Sequence, residues 1–205
     1  MKKNRISKNW LIKRHKDKFF KQSKIQGFRS RSAFKLIEIN EKFKFLNKNV
    51  HVLDLGSSPG GWSQVVRKKI VNGKILALDV KPMESIDKVT FLNGDLNDRA
   101  IYKKILTYFD KKINVVISDM AANTTGNKNL DSYRTGKLCL KAMDLAREIL
   151  YQDGVFLSKV FMGSIFTEIH EKANKYFKKV IKYKPPSSRK ESKEIYVYCK
   201  GILKV

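Results

Sequence analysis

The chain has 205 residues, 42% of them apolar, which is enough for one domain with a substantial core. Forty-four Lys and Arg against 19 Asp and Glu give a net charge of +25, a balance that favours a polyanionic partner, nucleic acid first. No run approaches the roughly 20 apolar residues that span a bilayer, no apolar signal-peptide core opens the chain, and Cys139 and Cys199 form neither a disulfide framework nor a metal-ligand spacing, so a cytoplasmic protein without membrane contact or metal is expected.

Residues 1–31 hold 12 Lys or Arg and one acid, Asp17, for a net of +11. With scattered aromatics (Trp10, Phe19, Phe20, Phe28), residues 1–29 read as a basic arm preceding a single domain over 30–205. Ser30 or Ser32 is placed to cap a helix whose apolar face carries Phe34, Ile37 and Phe43.

Residues 50–66, VHVLDLGSSPGGWSQVV, are the most informative segment. An apolar run suited to a buried parallel strand meets a bend with Gly56, Gly60 and Gly61, then an amphipathic helix beginning near Trp62. Strand, glycine bend and helix in this order mark where open α/β sheets bind nucleotide-like ligands, and these glycines leave room for one against the main chain. The spacing is neither the dinucleotide G-x-G-x-x-G nor a P-loop, which disfavours a nicotinamide dehydrogenase. Asp54, two residues before Gly56, would repel a pyrophosphate and suits a ligand with a cationic end. S-adenosylmethionine, with an ammonium, a sulfonium and one carboxylate for the helix start, fits that demand.

Strands follow at KILALDV (74–80) and from VTFLNGD (89 onward), then a helix over 99–110 and a strand INVVISDM (113–120). A polar stretch precedes a long helix reaching about Leu150. Asp153-Gly154 turns into the strand VFLSKVF, a helix covers about 164–177, and two strands flank the loop KPPSSRKESK. Seven strands alternating with helices argue for an α/β fold, a mostly parallel sheet with helices on both faces and a closing hairpin that makes the last strand antiparallel. Asp54, Asp79, Asp95 and Asp119 each follow an apolar run, so they gather at the carboxyl edge of the sheet. Asp79, 23 residues after Gly56, stands where an acid holds ribose hydroxyls, and Asp95 is placed to accept from an adenine amino group.

Lys159 interrupts an otherwise apolar central strand, and buried lysines need partners. Asp119 ends the preceding strand, and Lys35 and Glu194 complete a group of alternating charge. Residues 178–193 carry seven Lys or Arg against one acid, a second basic segment for an RNA or DNA substrate.

The segments RSRSAFKL (29–36), LDLGSSPGGWSQ, SDM (118–120), KVF (159–161) and SRKESKEIYV, in this order along essentially the whole chain, resemble the FtsJ family of S-adenosylmethionine-dependent RNA 2′-O-ribose methyltransferases. The resemblance implies a Rossmann-like methyltransferase fold and a Lys-Asp-Lys-Glu tetrad on Lys35, Asp119, Lys159 and Glu194. It implies cofactor contacts at Gly60, Trp62, Asp79, Asp95 and Asp119. The compact form with a basic arm is most similar to bacterial enzymes that methylate a uridine of large-subunit ribosomal RNA, acting as monomers on the assembled large subunit. A transfer RNA methyltransferase and a catalytically silent ribosome-assembly factor are the alternative readings. One position departs: where the family has proline after Met-Ala, this chain has Ala122.

Overall fold

The computed structural model describes residues 17–203. In chain order the elements are α1 (Lys18–Ile25), α2 (Ser32–Phe43), β1 (Val52–Leu55), α3 (Gly61–Lys69), β2 (Ile75–Asp79), β3 (Thr90–Asn93), α4 (Arg99–Phe109), β4 (Ile113–Ser118), α5 (Lys128–Ile149), β5 (Leu150–Phe161), α6 (Phe166–Tyr176), β6 (Phe177–Tyr183) and β7 (Glu194–Ile202). The strands form one seven-stranded sheet in the order β3-β2-β1-β4-β5-β7-β6. Pairing is parallel from β3 through β5, and β7 runs antiparallel to both β5 and β6. This is the mostly parallel sheet with an antiparallel last strand that the sequence predicts.

Every residue of β1 is buried, as is all of β4 except the half-buried Asn114. Continuous burial follows from having helices on both faces, and it is why these strands read as unbroken apolar runs. Helices α2 and α3 cover one face around Leu36, Ile39, Trp62, Val65 and Tyr196. Helices α4, α5 and α6 cover the other around Ile105, Met143, Phe156, Ile169 and Phe177. The chain leaves β1 toward β2 on one side while β4 lies on the other, so the crevice between the carboxyl ends of β1 and β4 is the topological switch point. Among the described residues no helix is long and apolar enough to cross a membrane.

Three local expectations change. Neither serine caps α2: Arg31 is its N-cap without a side-chain hydrogen bond, and Ser30 and Ser32 bond each other at 2.7 Å. Asp153-Gly154 does not end an element; it falls in an irregularity of β5, where pairing jumps from Ile113↔Leu150 to Val115↔Val155. Residues 17–29 are folded against the domain, because Phe19 packs at a tilt and Phe28 edge-on against Phe34, at 5.5 and 5.8 Å, and Asp17 caps α1. Trp10 and the rest of 1–16 lie outside the described residues.

Candidate active site

Beyond β1 the chain turns at Gly56 with φ +75°, and a Cβ there would stand 2.8 Å from the backbone of Met120. Glycine is required because the loop after β4 passes directly over this bend. Between the two loops opens a cavity of about 640 Å³, within the range of small-molecule sites. Its lining includes Gly56, Ser58, Asp79, Asp95, Asp119 and Lys159. The opposite wall is α5, whose Tyr133, Arg134, Lys137 and Lys141 recur at helical spacing. Another depression of about 700 Å³, lined by Lys178, Lys179 and Lys200, lies at the opposite edge of the sheet and holds none of the sequence-predicted site residues.

Asp79 is held by the main chain, accepting from the Ser58 N–H at 2.9 Å and the Lys81 N–H at 2.8 Å. Asp95 is exposed and accepts from the Asn97 N–H at 2.8 Å. Both line the cavity, and each carboxylate has acceptor sites beyond these bonds.

Four of the predicted cofactor residues do not line it, and neither do Lys35 and Glu194. Asp54 is fully buried beneath the bend, where Ser63 donates to its Oδ2 at 2.6 Å. Burial, with a further push from Asp119 and Asp79, raises its carboxyl from 3.8 to about 7 against that hydrogen bond. Trp62 is a core residue, 5.7 Å from the Tyr196 ring, and its Nε1–H donates to the Ser32 carbonyl at 2.9 Å. Beside Gly60 and Gly61 the space is taken by Arg29 and Ser30. Those two glycines make room for the RSRS segment, a role the spacing alone could not distinguish from making room for a ligand.

The four alternating charges do meet. Lys159 is 8% exposed, and its Nζ donates to Asp119 Oδ1 at 2.9 Å and to the Asp119 carbonyl at 2.6 Å. Lys35 Nζ lies 2.6 and 2.7 Å from the two oxygens of Glu194, whose side chain is also nearly buried. Tyr196, opposite Lys159 in the β5–β7 register, joins the pairs: its hydroxyl donates to Asp119 Oδ1 at 3.1 Å, and Lys35 Nζ sits 6.0 Å from its ring centre. Burial and the two carboxylates push the Tyr196 hydroxyl well above its ordinary range, so it acts as a donor. Ser188 donates to Glu194 at 3.1 Å. Sequence reasoning missed Tyr196 and Ser188; Tyr196 was detectable as the residue two past Glu194 on a strand, hence on the same face.

Residues 28–202 match the FtsJ-like methyltransferase family. The chain belongs to it. Ribosomal RNA large subunit methyltransferase E of Pelagibacter ubique is 48% identical over 98% of both chains. The protein of the same name from Rickettsia akari is 43% identical over 93% of this chain and 87% of its own. A Plasmodium falciparum crystal structure, described as a ribosomal RNA methyltransferase, superposes with a TM-score of 0.76 at 31% identity, covering 87% of this chain and 100% of that one. A Streptococcus mutans protein solved in complex with SAH shares the fold alone, at a TM-score of 0.54 and 16% identity over 82% of this chain and 97% of its own.

Within this methyltransferase the family's usual proline is Ala122, and its N–H donates to Thr135 Oγ1 at 3.2 Å. Proline could not make that bond, so α5 here holds a loop that a ring would otherwise stiffen. Among the described residues no cluster of His, Cys, Asp or Glu is placed to hold a metal.

Proposed function

We propose that this methyltransferase uses S-adenosylmethionine to methylate the 2′-hydroxyl of a ribose, a uridine's, in large-subunit ribosomal RNA, acting as a monomer on the cytoplasmic large subunit. The observation that carries this reading is the Lys159–Asp119 ion pair in the cavity wall, backed through Tyr196 by the Lys35–Glu194 pair. The names of the relatives support the substrate class.

The residues present fit the donor. Asp54 Oδ1 and Ser57 Oγ are buried without hydrogen-bond partners at the bend, an acid and a hydroxyl left free where a cationic ligand end is expected. Bound in the cavity, S-adenosylmethionine would supply a methyl group activated by its sulfonium. Asp79 would hold the ribose of the donor and Asp95 its adenine. As the ammonium paired with Asp119, Lys159 would hold the acceptor hydroxyl and stabilise the charge developing on its oxygen as the new O–C bond forms and the donor's S–C bond breaks; only a neutral Lys159 would itself take the hydroxyl proton. Asp119, bonded by the Tyr196 hydroxyl, fixes the lysine's nitrogen. Glu194 would hold Lys35 in place beside this pair.

Undermethylated large subunits, free ribosomal RNA and transfer RNA, each incubated with labelled donor, test the assignment. A ribose-methyl product on the large subunit is expected, and its absence there overturns the reading. Lys159→Ala should lower turnover by about 10²–10⁴-fold, the usual contribution of a positioned acid–base group, with donor affinity nearly unchanged.

A further inference from the structure

We infer that Arg29 is a positioning residue for the cofactor cavity, a guanidinium that fastens the two loops forming one of its walls. Its Nη1 donates to the Glu84 carbonyl at 2.7 Å and reaches the Pro59 carbonyl at 3.4 Å; its Nη2 donates to the Ser85 carbonyl at 2.8 Å. Pro59 belongs to the glycine bend that presents Gly56 and Ser58 to the cavity. Glu84 and Ser85 belong to the loop after β2 that presents Val80 and Lys81. The fork therefore spans both from outside, leaving the cavity free.

The second loop needs such a fastening. Residues 81–85 lack regular structure and, apart from a half-buried Met83, are exposed, so little apolar burial holds them. The two loops are also tied directly, the Ser58 Oγ donating to the Pro82 carbonyl at 3.1 Å. Arg29 is itself anchored, because its N–H donates to Gln64 Oε1 at 2.8 Å while Gln64 Nε2 donates to the Gly27 carbonyl at 3.0 Å. Gly60 adopts φ +110°, and a Cβ there would stand 2.9 Å from the guanidinium, so this glycine admits the fork. The Glu84 carboxylate, 90% exposed and 3.8 Å away, adds little. Main-chain carbonyls at several angles suit a rigid planar fork, and an ammonium cannot reach the same set.

The inference rests on the reading that the cavity takes S-adenosylmethionine, and its test separates the two. The full chain and Arg29→Lys, which keeps the charge but not the fork, are titrated with S-adenosylhomocysteine by calorimetry and assayed with large subunits. Arg29→Lys should bind the probe about tenfold more weakly, a loss of about 1.4 kcal/mol, and raise the donor KM with kcat at saturation and RNA affinity retained. Its melting temperature without ligand should match the parent's, which a merely structural role would not allow. Ser58→Ala should weaken binding in the same direction, and its effect should be less than additive with Arg29→Lys because both act on one pair of loops. Equal probe affinity in parent and Arg29→Lys overturns the inference while leaving the proposed function intact. So does a loss confined to RNA affinity, which would make Arg29 a phosphate contact. A parent chain that does not bind the probe overturns the donor assignment, and the inference with it.

Discussion

Replacing Asp54 by Asn should remove a pH dependence that this protein carries in its core. The carboxyl is fully buried, with one oxygen bonded to Ser63 and the other without a partner, and its pKa rises from 3.8 to about 7 on folding. Because the folded value is the higher one, the folded state holds a proton that the unfolded chain releases. Stability from this group is therefore complete below the unfolded value of 3.8 and falls as pH rises toward about 7. The whole change is worth about 4 kcal/mol, at about 1.36 kcal/mol for each pH unit. Asn preserves an acceptor for Ser63 and does not titrate. Urea unfolding of both proteins without ligand, at intervals from pH 4 to pH 8, measures the effect. Asp54→Asn should gain on the parent by about 4 kcal/mol across that range. Comparing the two proteins cancels the groups that do not couple to Asp54, His51 among them. Curves that stay parallel within about 1 kcal/mol would refute the argument that burial governs this carboxyl.

Two further outcomes follow from packing and capping. Phe156 in β5, fully buried and stacked at 5.9 Å on Phe177, the first residue of β6, should cost about 3–5 kcal/mol of unfolding free energy when cut to Ala, and a loss below about 1 kcal/mol would mean the core there collapses to fill the gap. Asp17 caps α1 through the N–H groups of Phe19 and Phe20 and pairs with Arg31 and Arg189, so Asp17→Ala should speed amide exchange across residues 18–25 and cost about 1 kcal/mol for the cap alone, with donor affinity unchanged; unaltered exchange would show that aromatic packing alone holds the helix.

Much of the site could be read from the chain because its residues stand at strand ends. Apolar runs locate strands, and an acid closing such a run must lie at the sheet's carboxyl edge, which is why Asp79, Asp95 and Asp119 reach the cavity. Lys159 was visible as a charge in a buried strand, and its need for a partner pointed to Asp119. The glycine bend was legible as a bend but not in its allegiances. Gly60 and Gly61 face the RSRS segment because Arg29, Ser30 and Ser32, which lie well upstream in the chain, fold over them.

The arm shows the same limit from the other side. Its charge is a property of composition, yet residues 17–29 are a docked helix and turn because Asp17 meets Arg189, which is 172 positions away in the chain. Sequence periodicity determined the strands and the parallel core, since burial on a strand repeats every two residues and on a helix every three to four, and the family resemblance marked the four alternating charges. What the tertiary structure alone decided is which groups touch. Tyr196 joins the two ion pairs, and Arg29 ties the two loops, because antiparallel β7 and the folded-back segment before α2 bring together residues that no local pattern relates.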